Sequence, residues 1–167
     1  MPERYINKKE ENSMSAIEIK KVESRRDLRT FIEFHYDLYE GNPYDAPNLY
    51  TDEVNTLRKD KNAAFDLCEA EYFIAYRDGK VVGRVAAIIN NSANEKWQIK
   101  AVRFGWIDFV DDIEVSKALL KAVEDYGRSK GMTEIVGPLG FTDMDPEGML
   151  IKGFEELGTQ ATAYNYA

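Results

Sequence analysis

Cysteine and histidine are nearly absent from this chain, whose 167 residues include one of each, Cys68 and His35. A lone cysteine excludes a disulfide within the chain, and the two residues together are too few for a Cys/His metal cluster. We therefore predict a fold without a disulfide framework and without a metal centre.

Basic residues are outnumbered, because 22 lysines and arginines face 30 aspartates and glutamates and leave a net charge of −8. Proteins that bind nucleic acid usually present a basic face, and no cluster of lysine and arginine supplies one here. The composition excludes a nucleic-acid partner. It favours a cationic partner over an anionic one, or else reflects a solvated acidic surface.

Long apolar runs are also missing. No stretch approaches the roughly 20 apolar residues that cross a bilayer, and none has the apolar region of a signal peptide. We expect no membrane partner and, by default, a cytoplasmic location. The length suits one domain, and the 44% of hydrophobic residues is ordinary for a globular protein.

Periodicity divides the chain into a tail and one domain. Residues 1–15 are polar and charged without any repeat, which predicts a disordered or mobile tail, and residues 16–167 form the predicted domain. The domain is organised around residues 102–138. There the strand-like sequence VRFGWIDFV precedes an amphipathic helix, which Asp111 or Asp112 can cap and which ends before Gly131.

A short strand over Thr133–Val136 follows this helix, so the three pieces predict a parallel, right-handed βαβ unit. Upstream, Ser24 and Asp27 resemble a capping box at the start of a first helix, and Asp78-Gly79 reads as a hairpin turn. The remaining predictions are a strand over 16–22, a helix from a Thr51 cap to about Arg58, hairpin strands over 71–77 and 80–89, a polar loop over 90–96, and a weak helix near Asp145. The predicted order is β-α-α-β-β-β-α-β, an α/β (α+β) fold with a mixed sheet.

This order resembles the GNAT superfamily of acyl-CoA-dependent N-acyltransferases. The resemblance rests on EYFIAYRDGKVVGRVAAII, whose second hairpin strand carries Val-Gly-Arg, and on ALLKAVEDYGRSKGM in the following helix. Residues 104–154 further resemble a group of longer bacterial GNAT-like proteins of uncertain function. A complete GNAT domain continues beyond the fifth strand, so the resemblance implies that the C-terminal strands are missing here. An uncovered sheet edge or an aromatic tail would then favour a homodimer.

The resemblance implies acetyl-CoA or acyl-CoA as the donor and a small-molecule amine as the acceptor. In GNAT enzymes the pantetheine arm lies between the fourth and fifth strands, and the loop before the next helix wraps the pyrophosphate. The corresponding residues here are Phe109, Val110, Asp111, Ile113, Glu114, Val115 and Ser116.

That loop lacks the family's glycine-rich pattern. Asp111 stands at the Arg/Gln position, while Glu114 and Ser116 stand at the two glycine positions. Each repulsive charge near a pyrophosphate costs on the order of 1 kcal/mol at a partly exposed site. The acidity opposes ordinary CoA binding. Two interpretations of this loop therefore stay open: it still binds CoA, or it has lost that ability.

Asp108 is the predicted side-chain base. Strict alternation places it on one strand face with Phe104 and Trp106, where aromatic surroundings would raise its pKa. The alternative is a structural aspartate that binds a neighbouring loop or Arg84. By family position, the resemblance implies that Tyr164 or Tyr166 could protonate the leaving thiolate; the alternative is that neither tyrosine has a catalytic role.

His35 falls on the apolar stripe of the first helix, where it is either a satisfied, partly buried histidine or a general base. Cys68 has no adjacent histidine and is predicted to be an inert thiol. Three functions remain open at this point: an N-acyltransferase acting on an unidentified amine, a catalytically silent GNAT-like binding or assembly module, and a fragment that needs the rest of a longer protein.

Overall fold

The computed structural model describes residues 15–157, and a five-stranded sheet in the order β1-β2-β3-β4-β5 forms its centre. All neighbouring strands are antiparallel except β4 and β5, which are parallel. This confirms the mixed sheet and the parallel βαβ unit. Apart from Ser15, the predicted tail lies outside the described residues. The strands are β1 (Glu18–Lys21), β2 (Cys68–Arg77), β3 (Lys80–Asn90), β4 (Ala101–Phe109) and β5 (Glu134–Val136).

Helices cover both faces of the sheet, and each face has its own apolar core. The first core joins the sheet to α1 and α2 through Phe31 and Leu57, and the second joins it to α4 through Leu119 and Val123. Strand β3 contributes to both cores, which fits its nearly continuous apolar sequence. The helices are α1 (Arg25–Leu38), α2 (Tyr50–Leu57), α3 (Asn91–Trp97) and α4 (Ile113–Ser129), with a short 3₁₀ turn over Ala63–Asp66.

Local capping and turn signals place the element ends as predicted. The Ser24 hydroxyl accepts a hydrogen bond from the Asp27 amide, and the Asp27 carboxylate accepts one from the Ser24 amide, which completes the capping box of α1. The turn Asp78-Gly79 has positive φ angles of 51° and 74°, as a tight hairpin requires. Asp112, rather than Asp111, caps α4.

Three local predictions are wrong. Residues 91–97 form α3 rather than a loop, because the Asn90 side chain accepts a hydrogen bond from the Ala93 amide and starts the helix. This helix buries no residue, so it leaves no apolar stripe in the sequence. Thr51 is not the cap of α2, which begins at Tyr50 without a side-chain cap. No helix forms near Asp145 within the described residues, where the chain makes turns instead.

A bulge in β4 breaks the alternation that the sequence predicts. The register between β3 and β4 shifts between Arg84 and Ala86, and Trp106 has a left-handed φ of 46°. Phe104 therefore packs in the core under α4, whereas Trp106 packs in the core under α1 and α2. The prediction that Phe104 shares a face with Trp106 and Asp108 is wrong for this reason.

The pairing of β4 with β5 ends before the bulge. The ladder ends where Arg103 lies opposite Val136, and the Leu139 amide then donates to the Phe104 carbonyl. Within residues 15–157 no strand pairs with this edge of β4 after Arg103. Ile135 and Val136 on β5 are also solvent-exposed. The predicted homodimer through such an edge stays a prediction.

Candidate active site

The centre of the candidate site is a buried ion pair between neighbouring strands. Arg84 on β3 and Asp108 on β4 are register partners across the ladder. The Arg84 Nε donates to Asp108 Oδ2 at 2.7 Å, and its Nη1 donates to the Phe31 carbonyl of α1 at 3.0 Å. Both side chains are about 95% buried. The sequence prediction that Asp108 can bind Arg84 is confirmed.

His35 extends this pair towards solvent. Its Nδ1 lies 3.1 Å from Asp108 Oδ2, and its ring packs against the Tyr39 ring at a tilt of 57°, with centroids 4.8 Å apart. The Tyr39 hydroxyl donates to the other oxygen of Asp108 at 3.3 Å. The His35 side chain is 19% exposed, whereas that of Asp108 behind it is only 4% exposed.

A second carboxylate lies on the other side of the imidazole. Asp45, in the loop between α1 and α2, has its Oδ1 3.5 Å from His35 Nε2. Its side chain is only 8% exposed. The single histidine of the chain is therefore flanked at both ring nitrogens by buried carboxylates from separate parts of the fold.

The two carboxylates differ in their electrostatics. Burial alone would raise the pKa of Asp108, but Arg84 and His35 outweigh it and lower that pKa to about 2. This is opposite to the raised pKa expected from aromatic neighbours, because the sequence does not reveal how close Arg84 and His35 lie. Burial raises the pKa of Asp45, and His35 only partly offsets that rise. Asp108 is thus a fixed anion and a poor proton acceptor.

An ionised Asp108 dictates the protonation of His35. A carboxylate can only accept hydrogen bonds, so the nitrogen facing it, Nδ1, must carry a proton. Asp45 Oδ1 is the more distant carboxylate oxygen, at 3.5 Å from Nε2, so the neutral imidazole keeps its proton on Nδ1 and its lone pair on Nε2, and Nε2–H faces Asp45 only in the imidazolium. A carboxylate that orients a histidine, with the far nitrogen left as a base, is the arrangement used in general-base catalysis.

The predicted phosphate-binding loop is already occupied by its own side chains. The Asp112 carboxylate accepts a hydrogen bond from the Glu114 amide and forms an ion pair with Arg77 on β2. The Arg77 interaction is the leading reason why the pKa of Asp112 is lowered. The amide that would meet a phosphate at this helix N-terminus therefore donates to a carboxylate instead.

Two of the three acids in this loop are neutralised by partners. Asp112 forms an ion pair with Arg77. Glu114 Oε1 lies 2.8 Å from the Nζ of Lys117, one turn further along α4. Asp111 is exposed. The repulsion expected from three unpaired acids is accordingly reduced, although the geometry still does not fit a pyrophosphate cradle.

The other predicted site residues lie around this loop without joining the His35 cluster. Phe109 and Val110 are half-buried, Ile113 is exposed, and Val115 and Ser116 are buried in the first turn of α4. Their role in binding a donor stays a prediction.

Tyr164 and Tyr166 lie outside the described residues, so the predicted role of either as an acid also stays a prediction. Cys68 is buried, and burial raises the pKa of its thiol, which suits an unreactive side chain. Within residues 15–157 no group of three or more histidine, cysteine, aspartate or glutamate side chains is arranged so that it could hold a metal ion. No helix there is long and apolar enough to cross a membrane.

Sequence reasoning gave His35 only a minor role and did not single out Asp45. In the sequence, Asp108 follows His35 by 73 residues and Asp45 follows it by ten, so no local spacing connects the three residues. The one available signal was that His35 is the sole histidine and lies on the same helix face as apolar residues.

No protein-family model matches the chain. Among curated proteins, Protein YghO of Escherichia coli is 33% identical over 132 residues, which cover 79% of this chain and 34% of that protein. The bacterial ceramide synthase of Caulobacter vibrioides is 30% identical over 135 residues, which cover 80% of this chain and 35% of that protein. The chain thus spans about a third of the length of the curated relatives it matches.

Solved structures resemble the chain at low identity. A tandem GNAT protein from the clavulanic acid biosynthesis pathway superposes with a TM-score of 0.57 at 14% identity, covering 72% of this chain and 35% of that one. A ribosomal-protein-alanine N-acetyltransferase from Brucella melitensis superposes with a TM-score of 0.50 at 17% identity, covering 72% and 78%. At such identities the likeness establishes the fold.

Proposed function

We propose that this chain, which has the GNAT fold that its sequence predicts, is the acyl-transfer domain of an N-acyltransferase. The reaction would move an acyl group from a thioester to an amine. The observation that carries this proposal is the His35–Asp108 pair, held by Arg84 beside the part of β4 that β5 leaves unpaired.

The proposed mechanism assigns a task to each group around the imidazole. Asp45 attracts the acceptor as an ammonium ion, and His35 Nε2 takes the proton that the amine must lose before it attacks. The amine nitrogen then bonds to the thioester carbonyl carbon, and the carbon–sulfur bond breaks. The thiolate leaves and takes up a proton, for which Tyr164 remains the candidate donor, and the second proton that the nitrogen loses after the attack replaces the one that Tyr164 gave. The products are therefore the amide, the free thiol and the imidazolium of His35. Asp108 and Arg84 keep their charges throughout, so they position His35 and stabilise the imidazolium.

The likeness to a bacterial ceramide synthase suggests the acceptor class. A ceramide is the amide formed between a fatty acid and the amine of a sphingoid base. We propose an amine of this kind, with one cationic nitrogen and a long apolar chain. The Asp45 carboxylate, next to the imidazole nitrogen that takes the proton, suits the cationic end of such a molecule.

The donor is proposed to be a long-chain acyl-CoA held mainly by its pantetheine and acyl parts. The capped N-terminus of α4 does not fit its pyrophosphate as it stands, because Asp112 occupies the Glu114 amide. No chemical step depends on those phosphates. Weak binding of CoA without an acyl chain is the expected consequence.

A silent GNAT-like binding module is the second candidate, and the Asp112 cap favours it. In that case the buried His35 cluster would serve stability alone. The two functions differ in a direct assay, because only the enzyme forms an amide.

The test uses the purified 167-residue chain with palmitoyl-CoA and sphinganine, and mass spectrometry detects the amide product. We expect product formation, with a loss of about 10²- to 10⁴-fold in kcat for His35→Gln, the range for a general base. Asp37→Asn, an exposed change one half-turn along the same helix, is the matched control and should leave the rate unchanged.

Two results would overturn the proposal in different ways. Amide formation at an undiminished rate in His35→Gln would remove the histidine from the mechanism. No amide in any variant, together with calorimetric binding of palmitoyl-CoA, would favour the binding module. No amide and no binding would remove both functions from the isolated chain.

A further inference from the structure

Trp106 occupies an unusual place in β4. It is one of three non-glycine residues with a left-handed φ among residues 15–157, and it lies at the bulge that separates the two parts of the strand. Left-handed φ is rare for bulky residues and persists where surrounding contacts hold it. Here the indole is 94% buried and packs against Phe141, with ring centroids 5.7 Å apart.

A buried glutamate on α2 holds this indole. The Trp106 Nε1–H donates to Glu53 Oε2 at 2.9 Å, and Glu53 is 7% exposed. The other oxygen, Oε1, accepts from the Asn48 side-chain amide at 2.8 Å. A buried carboxylate is costly unless hydrogen bonds satisfy it, and these two donors come from different elements.

The two donors are each close in sequence to a carboxylate that faces His35. Asp108 follows Trp106 by two residues on β4, and Asp45 precedes Asn48 by three residues in the loop before α2. Glu53 therefore connects the strand that carries one carboxylate to the loop that carries the other. His35 itself is held between these two segments.

We infer that Glu53, Trp106 and Asn48 form a positioning clamp that sets the two carboxylates at the His35 imidazole. The clamp residues act through Asp108 and Asp45 and touch no reacting atom. Its catalytic consequence rests on the proposed function, but its effect on the imidazole does not.

The only histidine of the chain provides a direct readout. Long-range ¹H–¹⁵N NMR spectra contain one set of imidazole signals, so they report the tautomer of His35 without overlap. In the unchanged protein at a pH where the ring is neutral, we expect a single form with the proton on Nδ1. In Glu53→Leu, the Trp106 indole N–H and the Asn48 amide both lose their acceptor. The clamp loosens, and we expect signals that average between the two tautomers.

A charge-conserving double variant tests whether the hydrogen-bond pattern is responsible. In Glu53→Gln with Asn48→Asp, the new amide can accept from Trp106 with its oxygen and donate to the new carboxylate with its nitrogen. We expect the single Nδ1–H form to return. The matched control is Tyr72→Phe, which removes another buried hydrogen bond to α2, from the Tyr72 hydroxyl to the Leu57 carbonyl at 2.8 Å. This control should lower stability without changing the His35 signals.

Either of two results would overturn the clamp. One is a fixed Nδ1–H tautomer in a folded Glu53→Leu variant, and the other is equal averaging in Tyr72→Phe. If amide formation is detected, Glu53→Leu should lower kcat by about 10- to 100-fold with little change in the KM for the donor. A restored tautomer in the double variant without any amide formation would leave the clamp standing and the proposed function refuted.

Discussion

Arg84 and Asp108 face each other across the β3–β4 ladder, and their charged atoms lie 2.7 Å apart in the dry interior. This relationship has two consequences. It keeps Asp108 ionised, so the carboxylate orients His35 and does not itself accept a proton. It also ties the candidate site to the stability of the sheet.

Removing one member of this pair should destabilise the protein strongly. Asp108→Asn leaves the guanidinium of Arg84 buried without a counter-charge, and we expect a loss of about 3–5 kcal/mol in the free energy of unfolding. Urea titration followed by circular dichroism measures the loss. The control Glu124→Gln breaks the exposed pair with Arg128 on α4 and should cost less than about 1 kcal/mol. Equal losses in the two variants would contradict the prediction.

The lowered pKa of Asp108 predicts acid sensitivity. Its pKa of about 2 lies below the ordinary 3.8, so the folded state binds fewer protons than the unfolded state between these values. The ionised Asp108 contributes about 2 kcal/mol to the free energy of unfolding above pH 4, and this contribution is lost as the pH falls towards 2. Urea titrations at pH 6, 4 and 3 measure this fall.

Asp45 should act in the opposite direction, because burial raises its pKa. The folded state then gains a proton before the unfolded state does, which partly offsets the loss from Asp108 as the pH falls. We therefore expect the free energy of unfolding to fall more steeply with decreasing pH in Asp45→Asn than in the unchanged protein. If the free energy of unfolding of Asp45→Asn instead depends less steeply on pH, Asp45 is not a buried carboxylate with a raised pKa.

The acidic loop before α4 should be convertible into a better anion site. Asp111→Arg with Glu114→Gly replaces two carboxylates beside the helix N-terminus by one guanidinium, and we expect the affinity for CoA in calorimetry to rise by tenfold or more. Asp125→Arg, at the exposed far end of α4, is the control for a general charge effect. An equal rise in both variants would mean that the loop has no specific role.

Gly127 lets α4 lie close to β4. A Cβ at this position would come within 2.5 Å of Val102 Cγ1, so Gly127→Ala should destabilise the fold by about 1–3 kcal/mol. Val102→Ala alone leaves a cavity, but in the double variant the new methyl group can use that space. We expect the double variant to lose less stability than the sum of the two single changes, as thermal and urea unfolding can show. Simple additivity would contradict this close contact.

Local chemistry explains which parts of the fold the sequence could predict. The capping box at Ser24, the hairpin turn at Asp78-Gly79 and the cap at Asp112 depend on residues within three positions of each other. The element order and the parallel βαβ unit follow from such signals together with apolar periodicity. Helix α3 was missed because it buries no side chain and so has no periodic apolar stripe.

The amino-acid sequence by itself determined the strands, most of the helices and the mixed sheet, because caps, turns and apolar repeats act between near neighbours. Only the tertiary structure decided the site. Asp108 meets His35 across 73 positions, and a bulge at Trp106 turns the strand so that this meeting is possible. A bulge shifts every later side chain to the opposite face, and whether a carboxylate is a base or a fixed anion depends on charges that folding brings beside it.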